Sequence, residues 1–232
     1  MTPHGQVPKI RFQGREVDLP LPAGAACASA WLDLTRTMPS IYDNAKYDYL
    51  PPPTKGSINE RVPPCTLWPA KQRREDLYCD GTILMHPFAS PLATSTDDWK
   101  GCPPMFHFYG QEMLTDEGKY FARRLARAGV PVQWEEFEAM PHVFSSVVQG
   151  SKVSKLGMSR WADFIARVTK GELIETHGTY YQAKTLAESS VDVVSLGDLT
   201  DNEIRERMYE EVKAREGYLH ANSTGNDLKA KL

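Results

Sequence analysis

Between Pro103 and Phe137 the chain spells a strand, a helix and a second strand, and that order leaves the fold little freedom. Pro103-Pro104-Met105-Phe106-His107-Phe108-Tyr109-Gly110 is a short, aromatic-rich apolar run ended by glycine, the pattern of a buried parallel strand. Asp116 and Glu117 favour the positive end of a helix starting near Thr115. Phe121, Leu125 and Ala128 fall at i, i+4 and i+7 and predict its buried face, leaving Lys119, Arg123, Arg124 and Arg127 for solvent. Gly129 is placed to end that helix in the left-handed conformation. Residues 130–137 predict the next strand. A strand, helix and strand in this order form a right-handed parallel crossover, so both strands end at the same edge of the sheet.

That shared edge gives two polar residues a meaning they lack singly. Glu112 follows the first strand and His142, in Met140-Pro141-His142, follows the second. An isolated Glu is usually a helix-flanking charge and an isolated His an ordinary loop residue. Here their loops become neighbours at the carboxyl edge, where open α/β sheets bind ligands. A carboxylate accepting from one imidazole nitrogen fixes the tautomer and stabilises the imidazolium, while the other nitrogen handles a nucleophile's proton. A serine on a Gly-x-Ser-x-Gly turn upstream would complete such a set. The sequence contains no such turn, and its first serine is Ser29.

Composition narrows the function classes. The 232 residues are 41% hydrophobic and 25% charged, ordinary for a soluble globular protein. A net charge of −3 with no basic stripe gives nucleic-acid binding no electrostatic support. No apolar run approaches the roughly 18 residues of a transmembrane segment, and no signal peptide is visible, so a cytoplasmic location is the default expectation. Cys27, Cys65, Cys79 and Cys102 are scattered, without a C-x-x-C pair, so reduced thiols are expected, with no metal and no cofactor. No cysteine lies on a glycine-flanked turn that would mark it as a nucleophile.

Three sections are expected along the chain. Residues 1–22, rich in Pro, Gly and charge, read as an irregular N-terminal segment. Residues 23–171 hold the α/β part, with a first strand pattern at 23–31, the two strands of the crossover, and a last helix at 156–170. Met158, Trp161, Ile165 and Val168 mark one face of that helix, and Gly171 stops it. Residues 172–232 form a C-terminal extension, in which Thr200-x-x-Glu203 is a capping box. Ile204, Met208 and Val212 then predict an amphipathic helix near 201–216, with residues 221–232 frayed.

Several stretches resemble one known family. They are Ala28-Ser29-Ala30-Trp31-Leu32-Asp33-Leu34-Thr35, Asn44-Ala45-Lys46-Tyr47-Asp48-Tyr49-Leu50, His86-Pro87-Phe88-Ala89-Ser90-Pro91-Leu92, Gly110 to Glu117, and Gly129-Val130-Pro131 leading to Met140-Pro141-His142-Val143-Phe144. In this order, over residues 20–170, they resemble the hormone-sensitive-lipase-like (fold-3) esterase/lipase branch of the α/β-hydrolases, with the second stretch like fungal members. The resemblance implies the C-terminal part of an α/β-hydrolase fold, about three parallel strands with flanking helices, plus the helical extension. It implies a carboxylic ester hydrolase lineage acting on ester or lipid-like small molecules, with Glu112 as triad acid and His142 as triad base. It supplies no nucleophile and no oxyanion loop. It also makes Trp68, Tyr78 and Phe88 candidate pocket walls, although aromatic packing under a long loop accounts for them equally.

A sheet of this family has about eight strands, so a chain offering three should expose an open edge to which a protein partner could add. Three readings stay open. The chain is the C-terminal half of an ester hydrolase, inactive alone. It is a short, non-catalytic partner-binding product of the same fold. Or it is an unrelated α/β binding domain.

Overall fold

The computed structural model describes residues 9–53, 66, 78–79 and 81–229. Residues 1–22 read as irregular, yet 9–18 form a hairpin. β1 (Lys9–Phe12) pairs antiparallel with β2 (Arg15–Asp18) across the two-residue turn Gln13-Gly14. Both turn residues take positive φ, 47° and 75°, which suits the twist of a tight hairpin. Gln-Gly lacks the Asn or Asp that usually announces such a turn. The register sets Ile10 opposite Val17 and Phe12 opposite Arg15 on one face, mostly apolar, and Lys9 opposite Asp18 and Arg11 opposite Glu16 on the other, charged face. Ile10, Phe12 and Val17 are all exposed.

β3 (Ala25–Ala28) opens the main sheet. The single-turn α1 (Ser40–Asp43) follows, and among the described residues four 3₁₀ turns lie between Ala45 and Trp99. The crossover stands where the periodicity puts it, as β4 (Met105–Gly110), α2 (Thr115–Arg127) and β5 (Val132–Phe137), with Gly129 at φ 79° ending α2. Beyond it come the short α3 (Phe144–Val147), α4 (Lys152–Thr169), β6 (His177–Tyr181), β7 (Glu188–Val191) and α5 (Asp201–Lys229). The strand order is β3-β4-β5-β6-β7, parallel through β6 and antiparallel at β7.

The sequence predicts about three strands ending before residue 172, and among the described residues the sheet has five. His177-Gly178-Thr179-Tyr180-Tyr181 offers no apolar run, and a glycine interrupts it. That glycine is required, because a Cβ on Gly178 would stand 2.7 Å from the Val191 carbonyl oxygen. The extension is thus part of the sheet.

Each face of the sheet carries its own core. Tyr109, Phe121, Leu125 and Trp134 pack on one side with Ile204 and Met208 of α5. Phe106, Phe108, Phe137, Phe144, Phe164 and Tyr181 pack on the other. Two helix readings need correction. Arg123 and Arg124 are buried, because residues 192–208, together with 92–94 at Arg124, cover the α2 face that the pattern assigns to solvent. On α4 the buried stripe is Ser154, Gly157, Phe164 and Val168, while Met158 and Ile165 are exposed. Small residues at 154 and 157 let α4 approach the aromatic cluster, which a search for large apolar residues overlooks. The capping box forms, with Thr200 N–H donating to Glu203 Oε2 (2.7 Å) and Glu203 N–H to Thr200 Oγ1 (3.3 Å). α5 runs on to Lys229, well past residue 216. Among the described residues, no helix is long and apolar enough to cross a membrane, and no His/Cys/Asp/Glu group could hold a metal ion.

Candidate active site

The carboxyl ends of β4 and β5 place two loops against each other. Gly110, last residue of β4, has to be glycine, since a Cβ there would lie 2.0 Å from the Met140 carbonyl oxygen of the opposite loop. Thr115, at the start of α2, folds the acid loop. Its hydroxyl accepts the Glu112 N–H at 2.8 Å and lies 2.8 and 2.7 Å from the Gly110 and Glu112 carbonyl oxygens. In the second loop Ala139 and Val143 take left-handed φ of 56° and 44°. That is a strained conformation for a β-branched residue, and it persists only where the surroundings over-determine it.

These loops bring the predicted pair together. His142 Nδ1 lies 3.2 Å from Glu112 Oε1. In the tautomer with hydrogen on Nδ1 the ring donates to the carboxylate, and Nε2 remains to exchange a proton with a third group. Glu112 is fully buried, while the His142 side chain keeps 20% of its surface exposed. Burial raises the Glu112 carboxyl above its ordinary value, against hydrogen bonds from His142 and Ser29 that favour the anion. Burial acts to lower His142, but the hydrogen bond to Glu112, its charge and that of Asp48 outweigh it, so the imidazole is raised.

Two further residues complete the cluster. Ser29, just past β3 at φ 49°, donates its hydroxyl to Glu112 Oε2 at 2.8 Å and accepts the Val143 N–H at 3.0 Å. Asp48 accepts the Met113 N–H at 3.0 Å through Oδ2, and through Oδ1 the N–H groups of Tyr49 (2.8 Å), Leu50 (3.2 Å) and His142 (3.4 Å). Asn44 donates to the Glu112 carbonyl at 3.0 Å, and the Tyr49 ring stands 6.4 Å from the imidazole. Sequence reasoning places Ser29 and Asp48 only inside stretches that resemble a family. No spacing rule connects residues so far apart with Glu112.

A second buried carboxylate steadies this arrangement. Glu117 Oε1 accepts the N–H groups of Leu32 and Asp33, fastening the start of α2 to the chain beyond Ser29. Burial, with Asp33 nearby, pushes it well above the usual carboxylate range.

Of the proposed pocket walls, Phe88 is exposed, with its ring 5.3 Å from that of His86, and Tyr78 is exposed too. Trp68 lies outside the described residues, as does Cys65. Two cavities flank the loops and neither is lined by Glu112 or His142. One of about 300 Å³ reaches Met140, and one of about 790 Å³ is bordered by Asp43, Asp116, Glu136, Asp192 and Asp198. Ser29, the serine at the heart of the cluster, donates to the acid and not to the imidazole.

Comparison with known proteins gives this geometry a lineage. A family model described as the α/β hydrolase fold matches residues 15–146. An acetyl-hydrolase from Streptomyces hygroscopicus is 32% identical over 131 residues, 56% of this chain and 38% of the relative. The crystal structure of a hormone-sensitive lipase from a metagenome library aligns with a TM-score of 0.52 at 27% identity, covering 65% of this chain and 46% of that one. An esterase from the bacterial hormone-sensitive lipase family aligns at 0.50 and 29%, covering 62% and 43%. The chain spans less than half the length of these relatives.

Proposed function

The chain belongs to the α/β hydrolase fold family, in its esterase/lipase lineage, and from that premise we propose that Glu112 and His142 are the acid and base of a carboxylic ester hydrolase site. The observation that carries this reading is the 3.2 Å approach of His142 Nδ1 to Glu112 Oε1 on two loops at the carboxyl edge of the sheet. In that role His142 takes the proton of an attacking hydroxyl and later returns it to the leaving alkoxide. Glu112 holds the ring's orientation and stabilises the imidazolium.

The reading has a second part. No Gly-x-Ser-x-Gly turn occurs in the 232 residues, so the nucleophile and the donors for the tetrahedral oxyanion have to come from elsewhere. The likeness to an acetyl-hydrolase makes short acyl esters the first substrates to assay. The chain alone is expected to hydrolyse p-nitrophenyl acetate no faster than buffer. Turnover by the chain alone that vanished in His142→Ala would reveal a nucleophile within it and overturn that part. Co-expression with a polypeptide carrying the nucleophile half of a related esterase should yield turnover that His142→Ala abolishes. Activity surviving the substitution would overturn the base assignment.

A second reading, a non-catalytic protein of the same fold that binds a partner, is favoured by one observation. Among the described residues, no strand pairs with the outer side of β3. Glu112 and His142 would then be inherited structure. Co-purification of a partner lost on blocking β3, with no esterase activity in the complex, would favour it.

A further inference from the structure

We propose that Ser29 and Asp48 act as positioning residues, a two-point clamp that sets the orientation of Glu112 and the placement of His142. The inference rests on the reading of that pair as acid and base. Each clamp residue touches both loops, and they do so by different chemistry. Ser29 holds the acid's side chain. Its backbone is fixed to the sheet, with N–H donating to the Phe108 carbonyl at 2.9 Å. Its hydroxyl uses its one hydrogen on Glu112 Oε2 and one lone pair on the Val143 N–H. Glu112 thus has one oxygen turned to His142 and the other tied to Ser29, which sets the rotation of its carboxylate. Ser29 is 4% exposed and Glu112 0%, so water does not compete for these bonds. The same hydroxyl secures the N–H of the residue after His142, at the left-handed Val143.

Asp48 holds the backbones. One carboxylate takes the N–H of Met113, next to the acid, and the N–H of His142 itself. The clamp residues come from segments that supply neither acid nor base, and together they fix four points: the Glu112 carboxylate and the backbones at 113, 142 and 143. Without the Ser29 hydroxyl, Glu112 Oε2 becomes a buried acceptor with no donor among the described residues, and the anion is less stable. His142 then loses part of the charge that stabilises its imidazolium.

The full-length chain tests this without any turnover. Among the described residues, the groups facing the imidazole are Glu112, Asp48 and the Tyr49 phenol. Histidine NMR titration is expected to show the His142 pKa falling in Ser29→Ala and in Asp48→Asn, with the amide spectrum still dispersed. In a Glu112→Gln background the Ser29→Ala shift should vanish, because Ser29 acts through the carboxylate. A Ser29→Ala protein that melts lower but leaves the His142 pKa unmoved would overturn the clamp and make Ser29 a packing residue. A Ser29→Ala shift of equal size in the Glu112→Gln background would also overturn it. If Glu112→Gln itself leaves His142 unmoved, the acid–base reading fails, and that result is separate from failure of the clamp.

Discussion

The two edges of the sheet are built on opposite terms. At one edge β7 is short, antiparallel and polar, with Glu188, Ser189 and Ser190 exposed. Such an edge discourages further pairing. At the other edge β3 is Ala-Ala-Cys-Ala, parallel and half-buried. The N–H of Ala25 goes to the Pro104 carbonyl, just before β4, and that of Ser29 to Phe108 of β4, so by alternation those of Ala26 and Ala28 point outward. The hairpin that precedes β3 carries the exposed apolar face of Ile10, Phe12 and Val17. The extension completes one side of the domain from this chain's own residues. Among the described residues, nothing pairs with the outer side of β3.

Substitutions on each side can break or sharpen that contrast. Arg124 should have the largest effect. Its buried guanidinium joins α2 to Asp201 of α5 (3.0 Å) and to the Leu92 and Thr94 carbonyls. Arg124→Ala leaves the Leu92 and Thr94 carbonyls without this donor, while Asp201 keeps Arg123, and is expected to cost about 3 kcal/mol. It should lower the melting temperature and speed hydrogen exchange over 188–212. An unchanged melt would mean that the extension does not complete the domain.

Glu135 comes next. Burial, only partly offset by Arg160 and Tyr181, lifts its carboxyl from 4.5 to about 7. The folded value lies above the unfolded one, so its contribution is fully present below pH 4.5 and is lost as pH rises through about 7. Glu135→Gln should remove a decline of roughly 3 kcal/mol from urea-unfolding stability across that window. A slope that persists would assign the pH dependence to other groups.

Thr200→Ala removes the reciprocal cap of α5 and should cost about 1 kcal/mol, read in the same unfolding experiment. The smallest effect on stability is expected at the open edge. Ala26→Pro removes an N–H that β4 does not use and should change stability by less than about 1 kcal/mol. It should nonetheless reduce concentration-dependent association in sedimentation. Association unaffected by proline would remove β3 as the pairing edge.

What could be read from sequence follows from the range of the interactions. The crossover, the stop at Gly129 and the cap at Thr200 are written in spacings of a few residues, and they stand where the pattern puts them. Glu112 and His142 were legible because topology alone brings strand ends together. The hairpin was missed because Gln13-Gly14 is an uncommon dipeptide for its turn. β6 and β7 were missed because neither has an apolar run. Arg123 and Arg124 read as solvated because the segments that cover them lie about 30 residues back, at Leu92 and Thr94, and more than 70 residues further along. Ser29 and Asp48 carry no local signal, since their partners are fixed only by the finished fold.

Those separations bear on how the protein assembles. Ser29 meets Glu112 across 83 residues, Asp48 meets His142 across 94, and Val143 meets Ser29 across 114. Contacts of such sequence distance require large loops to close before they reward the chain, so they are expected to form slowly, with the β3–β4 pairing that spans 80 residues and after the helices and the local β4–β5 crossover. The environment of one imidazole is therefore expected to report the closing of these loops. Its resonance should reach its native position only in the last kinetic phase of refolding, after the helical signal has returned.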